Sequence, residues 1–222
     1  MTGTGPTVVF DFDLTLTRWD TADRFFRWLL KRRAWRMAWV LLSVPALVPL
    51  LLARGSRKWP VRYAVWVATL GSSHDHLRAL AREHTDSLFA AVPSVFLTDG
   101  LARLQHHLDR GDRVVIATGC LEVLARELLE RAGYGHVPLV GSSLKPWLGG
   151  MVRHEHCFGP NKPPMLSRLG FAPPWAIAYT DHQCDLPVLE LSTQRFLVNP
   201  KPDAILAVER ALAHQPTVLQ WR

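Results

Sequence analysis

The chain has 222 residues, 48% of them hydrophobic, with 26 Lys/Arg against 19 Asp/Glu for a net charge of +7. This apolar content excludes a disordered chain, and three cysteines without paired spacing (Cys120, Cys157, Cys184) exclude a disulfide framework and fit a reducing compartment. The charge is a poor match to nucleic acid: eleven Lys/Arg and two acids, Asp20 and Asp23, lie between Arg18 and Arg62 around a greasy segment, a pattern suited to a membrane surface.

The length fits one domain, or one domain with an insertion. The N-terminus reaches an apolar strand within seven residues, and no basic region followed by an apolar run precedes it, so no signal peptide is expected. That strand, Thr7-Val8-Val9-Phe10, runs into Asp11-Phe12-Asp13-Leu14-Thr15. Alternation along a strand starts both acids on one side, and two carboxylates at the end of a buried strand are costly without a cation or chemistry to use them. Residues 21–35 carry Phe25, Phe26, Leu29 and Leu30 at helical spacing opposite a basic face. Met37 to Ala53 then has seventeen residues without a charge, interrupted by Pro45 and Pro49. A span needs roughly 20 apolar residues, and the two prolines predict a kink.

Acids lie on both sides of this run. If they share one site, both flanks are on the same side of a membrane, and a single complete crossing is excluded. The expectation is a re-entrant or interfacial hairpin, or one half of a pair with residues 61–70. Basic flanks (Lys31 to Arg36; Arg54, Arg57, Lys58) and Trp35, Trp39 and Trp59 suit that placement. The alternative is a buried helical pair in a soluble cap.

Residues 72–91 read as an amphipathic helix ended by Pro93, and Thr98 opens another that stops at Gly111. Residues 113–118, 139–140, 175–180 and 195–198 read as strands, 121–132 as a helix and Gly149-Gly150 as a turn. Strands alternating with helices predict a parallel sheet with binding groups at the strand C-termini. His154-Glu155-His156-Cys157 is not expected to be a metal cluster, because alternation splits its side chains between faces. His74, His76, His106 and His107 are expected at solvated helix positions, and Trp147 and Trp175 in the core or a flap.

Asp11-Phe12-Asp13-Leu14-Thr15 resembles the first motif of the haloacid dehalogenase superfamily, whose other motifs match Thr118-Gly119, Lys162 and Asp181 with Asp185, in order. The resemblance implies an α/β fold, a Rossmann-like parallel sheet with a helical cap inserted after the first strand. The core would be 1–17 and 94–222, and the cap 18–93. It further implies Mg²⁺-dependent phosphatase chemistry. Asp11 is the nucleophile and Asp13 the general acid/base, while Thr118, Gly119 and Lys162 hold the phosphoryl group. The metal is held by Asp11, the Asp13 carbonyl and Asp181, with Asp185 nearby. Leu14 stands where a glycine is frequent and His182 where a serine is, which puts the loop shapes in question.

Phe25 to Lys31, the Leu/Pro-rich run ending at Arg54-Gly55, Arg57-Lys58-Trp59-Pro60 and Trp66 are similar to the bacterial phosphatidylglycerophosphatase C family. That similarity implies an anionic phospholipid substrate, a membrane surface as partner, and a place on the cytoplasmic side of a bacterial inner membrane. Neither nucleic acid nor a protein partner is implied. Arg18, just behind the first motif, is the candidate headgroup contact. A phosphoserine-type phosphatase anchored at the membrane and a catalytically silent membrane adaptor are the alternatives.

Overall fold

Strand β1 (Thr7–Phe10) is apolar on both faces, as the middle strand of a covered parallel sheet must be. In the computed structural model, which describes residues 4–52, 58–212 and 215–222, β1 lies between β2 (Arg113–Leu121) and β6 (Trp175–Thr180). The sheet is completed by β3 (Leu139–Ser142), β7 (Ser192–Val198) and β8 (Thr217–Leu219) in the order β3-β2-β1-β6-β7-β8, every pairing parallel. The chain winds outward from β1 in one direction, then returns to β6 and winds in the other. The strand order therefore reverses beside β1, where ligands of such sheets bind.

Alternation divides the core. Val8 and Phe10 enter one apolar cluster with Leu104, Leu124 and Leu128, while Val9 enters another with Leu166, Trp175 and Leu189 on the opposite face. Each such fully buried side chain contributes about 1.5–3 kcal/mol. Phe10, Tyr179 and Phe196 stack across three adjacent strands with ring centroids 4.5 and 4.8 Å apart, the spacing of strands within a sheet. The first face is covered by α5 (Thr98–Asp109) and α6 (Glu122–Arg131), the second by α7 (Lys162–Arg168), α8 (Leu186–Glu190) and α9 (Pro202–Ala211).

His107, expected in solvent, is buried. Helix α5 buries Gly100, Leu104 and His107, one stripe at helical spacing. The ring is accommodated because Nδ1 donates to Asp112 at 2.7 Å and Nε2 accepts from the Tyr179 hydroxyl at 3.0 Å. His74, His76 and His106 are exposed, and Trp175 is fully buried.

Between β1 and α5 come four helices: α1 (Thr21–Lys31), α2 (Ala34–Leu52), α3 (Lys58–Ala68) and α4 (His74–Ala91). Thr17 and Phe96 form an antiparallel bridge, so the insertion leaves and re-enters the core at adjacent points. Asp20 caps α1 by accepting from the Asp23 N–H, and Ser73 caps α4 by accepting from His76.

The prolines expected to interrupt the apolar run do not end α2, which continues through Pro45 and Pro49. Spaced four apart they remove donors from one side of the helix and leave the rest of the ladder in place. Residues 53–57, with the basic flank at Arg54 and Arg57, lie outside the described residues, as does the Trp59 side chain. Among the described residues no helix is long and apolar enough to cross a membrane. An antiparallel hairpin of β4 (Leu144–Trp147) and β5 (Gly150–Arg153), turning at Leu148-Gly149, packs against α3.

Candidate active site

Asp11 leaves β1 with its N–H donating to the Tyr179 carbonyl at 2.9 Å, which continues the sheet ladder by one residue. The chain then folds sharply: the N–H groups of Leu16 and Thr17 both donate to the Phe12 carbonyl, at 2.8 and 2.9 Å. Leu14 takes φ = 60° within this turn. That is the left-handed region, which explains why a glycine suits the position and costs leucine about 1 kcal/mol.

Lys162 opens α7 and is buried, with Nζ donating to Asp11 Oδ1 and to Asp185 Oδ2, each at 2.6 Å. The Thr180 hydroxyl at the end of β6 donates to the same Asp185 oxygen at 2.8 Å, and Thr15 donates to Asp11 Oδ2 at 3.3 Å. Asp13 is held by α1, whose first residue, Thr21, donates both its N–H (2.9 Å) and its hydroxyl (2.6 Å) to Oδ1. The positive end of that helix thus faces the carboxyl. The ends of β1 and β6 and the starts of α1 and α7 bring these groups together although 174 sequence positions separate Asp11 from Asp185.

Burial raises the Asp11 carboxyl to about 6, Lys162 opposing and Asp185 adding to the rise. Burial also raises Asp13 to about 7, with the Thr21 hydrogen bonds opposing. Asp181 is raised to about 7 by burial and then by Asp11 and Asp185. Burial works against the Lys162 ammonium, yet Asp11 and Asp185 hold its pKa above the ordinary lysine value.

Asp11, Asp13, Lys162, Asp181, Asp185 and Gly119 line one cavity of about 690 Å³, within the range of small-molecule sites. Two expected residues do not line it. Thr118 is fully buried, its hydroxyl accepting from the Cys120 N–H at 3.0 Å, so the strand end presents Gly119 instead. Arg18 is exposed outside the cavity, its backbone N–H tied to the Val95 carbonyl in the connection to the core.

Residues 154–157 follow β5 outside any strand and meet different surroundings. His156 lines the cavity and meets Ser142 at 3.1 Å, Glu155 pairs with Arg168 at 2.8 Å, and Cys157 is buried. The cavity residues outside the sequence expectation include Arg62, Arg153 and Ser142. Ser142 ties the loops together, its hydroxyl donating to the Gly119 carbonyl at 2.8 Å and accepting from the Cys157 N–H at 3.1 Å.

Among the described residues no three His, Cys, Asp or Glu side chains form a ready metal cage. A hard divalent cation that keeps its waters needs only one or two carboxylates and a carbonyl. The charge balance favours such an ion: Asp11, Asp181 and Asp185 repel one another and share one ammonium. Asp11, Asp181 and the main chain at Asp13 supply oxygen donors only, the set Mg²⁺ prefers over softer metals.

Among solved structures, a protein of unknown function from Bordetella pertussis Tohama I superposes with a TM-score of 0.69 at 19% identity, covering 96% of this chain and 99% of that one. A phosphoserine phosphohydrolase-like protein from Francisella tularensis subsp. tularensis SCHU S4 gives 0.60 at 12% identity, covering 96% and 94%. A substrate-bound phosphoserine phosphatase gives 0.60 at 12% identity, covering 97% and 93%. At these identities the likeness concerns the fold. A family model for haloacid dehalogenase-like hydrolases matches residues 8–190, a span that contains Asp11, Asp13, Lys162, Asp181 and Asp185. The chain belongs to the haloacid dehalogenase-like hydrolases.

Proposed function

We propose that the chain is a Mg²⁺-dependent phosphomonoesterase that works through an aspartyl-phosphate on an anionic phospholipid of the phosphatidylglycerophosphate class. The observation that carries the substrate class is the cavity's composition. Its floor is Asp11, Asp13 and Asp181, while its wall is Phe26 and Leu30 of α1 with Val61 and Val65 of α3. Phosphoserine has a single methylene to place against such a wall, whereas an acyl chain gains about 0.8 kcal/mol per buried CH₂. Outside the cavity α2 exposes Trp35, Trp39, Leu41 (61%) and Leu42 (80%), with Arg32 and Arg33 beside its start. An apolar patch rimmed by cations suits an anionic bilayer. A lipid with two chains does not leave the leaflet readily, so the enzyme must bring its cavity there.

Lys162 and Thr15 fix both oxygens of Asp11, which attacks phosphorus. Asp13, with a pKa of about 7, retains its proton in part of the population near neutrality. Thr21 holds one oxygen and so orients the carboxyl toward the departing alkoxide, which takes the proton. Asp13 then removes a proton from water as that water attacks the aspartyl-phosphate, releasing phosphate and restoring Asp11. Mg²⁺ held by Asp11, the Asp13 carbonyl and Asp181 would offset phosphate charge during both transfers.

The test is phosphate release from phosphatidylglycerophosphate in mixed micelles with Mg²⁺, beside phosphoserine at equal concentration and with Asp11→Asn as control. Release from the lipid, rising with its surface fraction, supports the proposal. Release from phosphoserine alone keeps the chemistry and removes the lipid. Silence on both from folded protein favours the adaptor.

A further inference from the structure

Arg153 ends β5, and Arg62 lies on α3; both line the cavity that contains Asp11 and Asp181. Their relative position is fixed by the backbone. The Gly71 N–H donates to the Gly149 carbonyl at 2.7 Å, the Met151 N–H to the Thr69 hydroxyl at 2.9 Å, and the Trp66 indole N–H to the Trp147 carbonyl at 3.0 Å. Gly150 permits this contact, because a Cβ there would come within 2.7 Å of the Trp66 carbonyl. The hairpin is thereby pinned to the cap helix, and two guanidinium groups are brought to one rim.

Holding like charges together is unfavourable unless an anion joins them. Among the described residues no acid pairs with Arg153. Burial, and then the charge of Arg62, lower its pKa below the ordinary arginine value. Arg27, the other cavity arginine on α1, is different: it is neutralised by Asp23 at 2.7 Å.

We infer that Arg153, with Arg62 beside it, is a second anion-binding subsite that receives an acidic group of the substrate separate from the phosphoryl group being transferred. The inference rests on the phosphomonoesterase reading above. For a phosphatidylglycerophosphate the second group is the phosphodiester; in a soluble substrate a carboxylate offers the same negative oxygen pair. A planar guanidinium grips either with two hydrogen bonds. Arg153 would thus be a specificity-determining residue, and substrates with one anionic group would be discriminated against.

The test compares wild type, Arg153→Met, Arg153→Lys and the control Arg18→Met, all confirmed folded by circular dichroism. Substrates are phosphatidylglycerophosphate and phosphatidic acid in mixed micelles, with 3-phosphoglycerate and glycerol 3-phosphate as the soluble pair. Within each pair only one member carries a second anion. Loss of a charge-assisted contact predicts that Arg153→Met raises KM for the two-anion member about tenfold or more relative to its partner. The change in kcat stays within about threefold, Arg153→Lys recovers part of the loss, and Arg18→Met leaves the ratio at the wild-type value. An unchanged KM ratio in Arg153→Met overturns the subsite. If wild type ignores both lipids but hydrolyses the soluble pair, the lipid assignment fails and the subsite is decided by the soluble ratio. Wild type inactive on all four substrates overturns both.

Discussion

The two sides of the cavity are built on different principles. On the floor, Asp11, Asp13, Lys162 and Asp185 each have a short, directed hydrogen bond from a neighbouring group or to one, and their positions follow from strand ends and helix starts. Across from them α1 and α3 offer apolar side chains, and Arg62 of α3 and Arg153 of β5 line the same cavity, the hairpin being pinned to α3 by backbone contacts. The floor is preorganised for bond making and breaking, which tolerates little displacement. The wall selects by burial and charge, which tolerate substitution far better. On the proposed reading, chemistry and selectivity are separable by mutation.

The largest effect is expected at the floor. Asp11→Asn removes the nucleophile and should lower kcat by about 10³-fold or more on every substrate, while the melting temperature shows the protein still folded. A kcat within tenfold of wild type would contradict the covalent route. On the wall side, the pair Leu41→Glu and Leu42→Glu should lower the ratio of lipid to soluble turnover about tenfold on anionic vesicles, read by flotation binding alongside phosphate release. An unchanged ratio would remove α2 from membrane docking.

Acidity sharpens the comparison further. Asp11, Asp13 and Asp181 have folded pKa values of about 6, 7 and 7, above their ordinary 3.8. Between pH 4 and 7 the native state therefore binds more protons than the unfolded chain. The stability these groups contribute is fully present below about pH 4 and is lost as pH rises through 6 to 7. Metal-free protein should therefore lose stability between pH 5 and 8. Millimolar Mg²⁺ should raise the melting temperature by several degrees at pH 8 and much less at pH 5. Equal shifts at the two pH values in calorimetry would deny that the floor's carboxylates bind the ion. The smallest effect belongs to the loop joining the two sides: Leu14→Gly should stabilise by up to about 1 kcal/mol in urea titration, because it relieves the positive φ. A loss of stability would mean that the leucine side chain packs across the cavity mouth.

The floor was legible in the sequence because its elements are strongly patterned. Val8-Val9-Phe10 and the stretch from Trp175 to Thr180 are continuous apolar runs ending in acids, and such runs make central parallel strands. The hairpin that carries Arg153 was not legible beyond its Gly149-Gly150 turn. Leu144-Lys145-Pro146-Trp147 has neither clear alternation nor β-branched residues, and its strand exists because it pairs with β5, which packs on α3. Strand β8 was missed for a similar reason: it has three residues, and its place is set by pairing with β7. Arg18 misled because nearness in sequence to Asp13 is undone by the sharp turn through Phe12, which sends the chain out of the cavity toward Val95. His107 shows the converse: its own helix stripe announced burial, but the polar partners that make burial tolerable lie on other elements.

The bridge between Thr17 and Phe96 has a consequence for how such a molecule can change over evolutionary time. Because the two ends of the insertion meet at one point, the sheet experiences the cap as a closed loop whose ends are already joined. Closure entropy grows only logarithmically with loop length, so lengthening or shortening the insertion beyond that point adds little entropic cost, while Phe25, Leu29, Leu77 and Leu80 must still fill the core they share with the sheet. A lineage that trades one cap for another must therefore supply again what α1 supplies, the two Thr21 hydrogen bonds to Asp13.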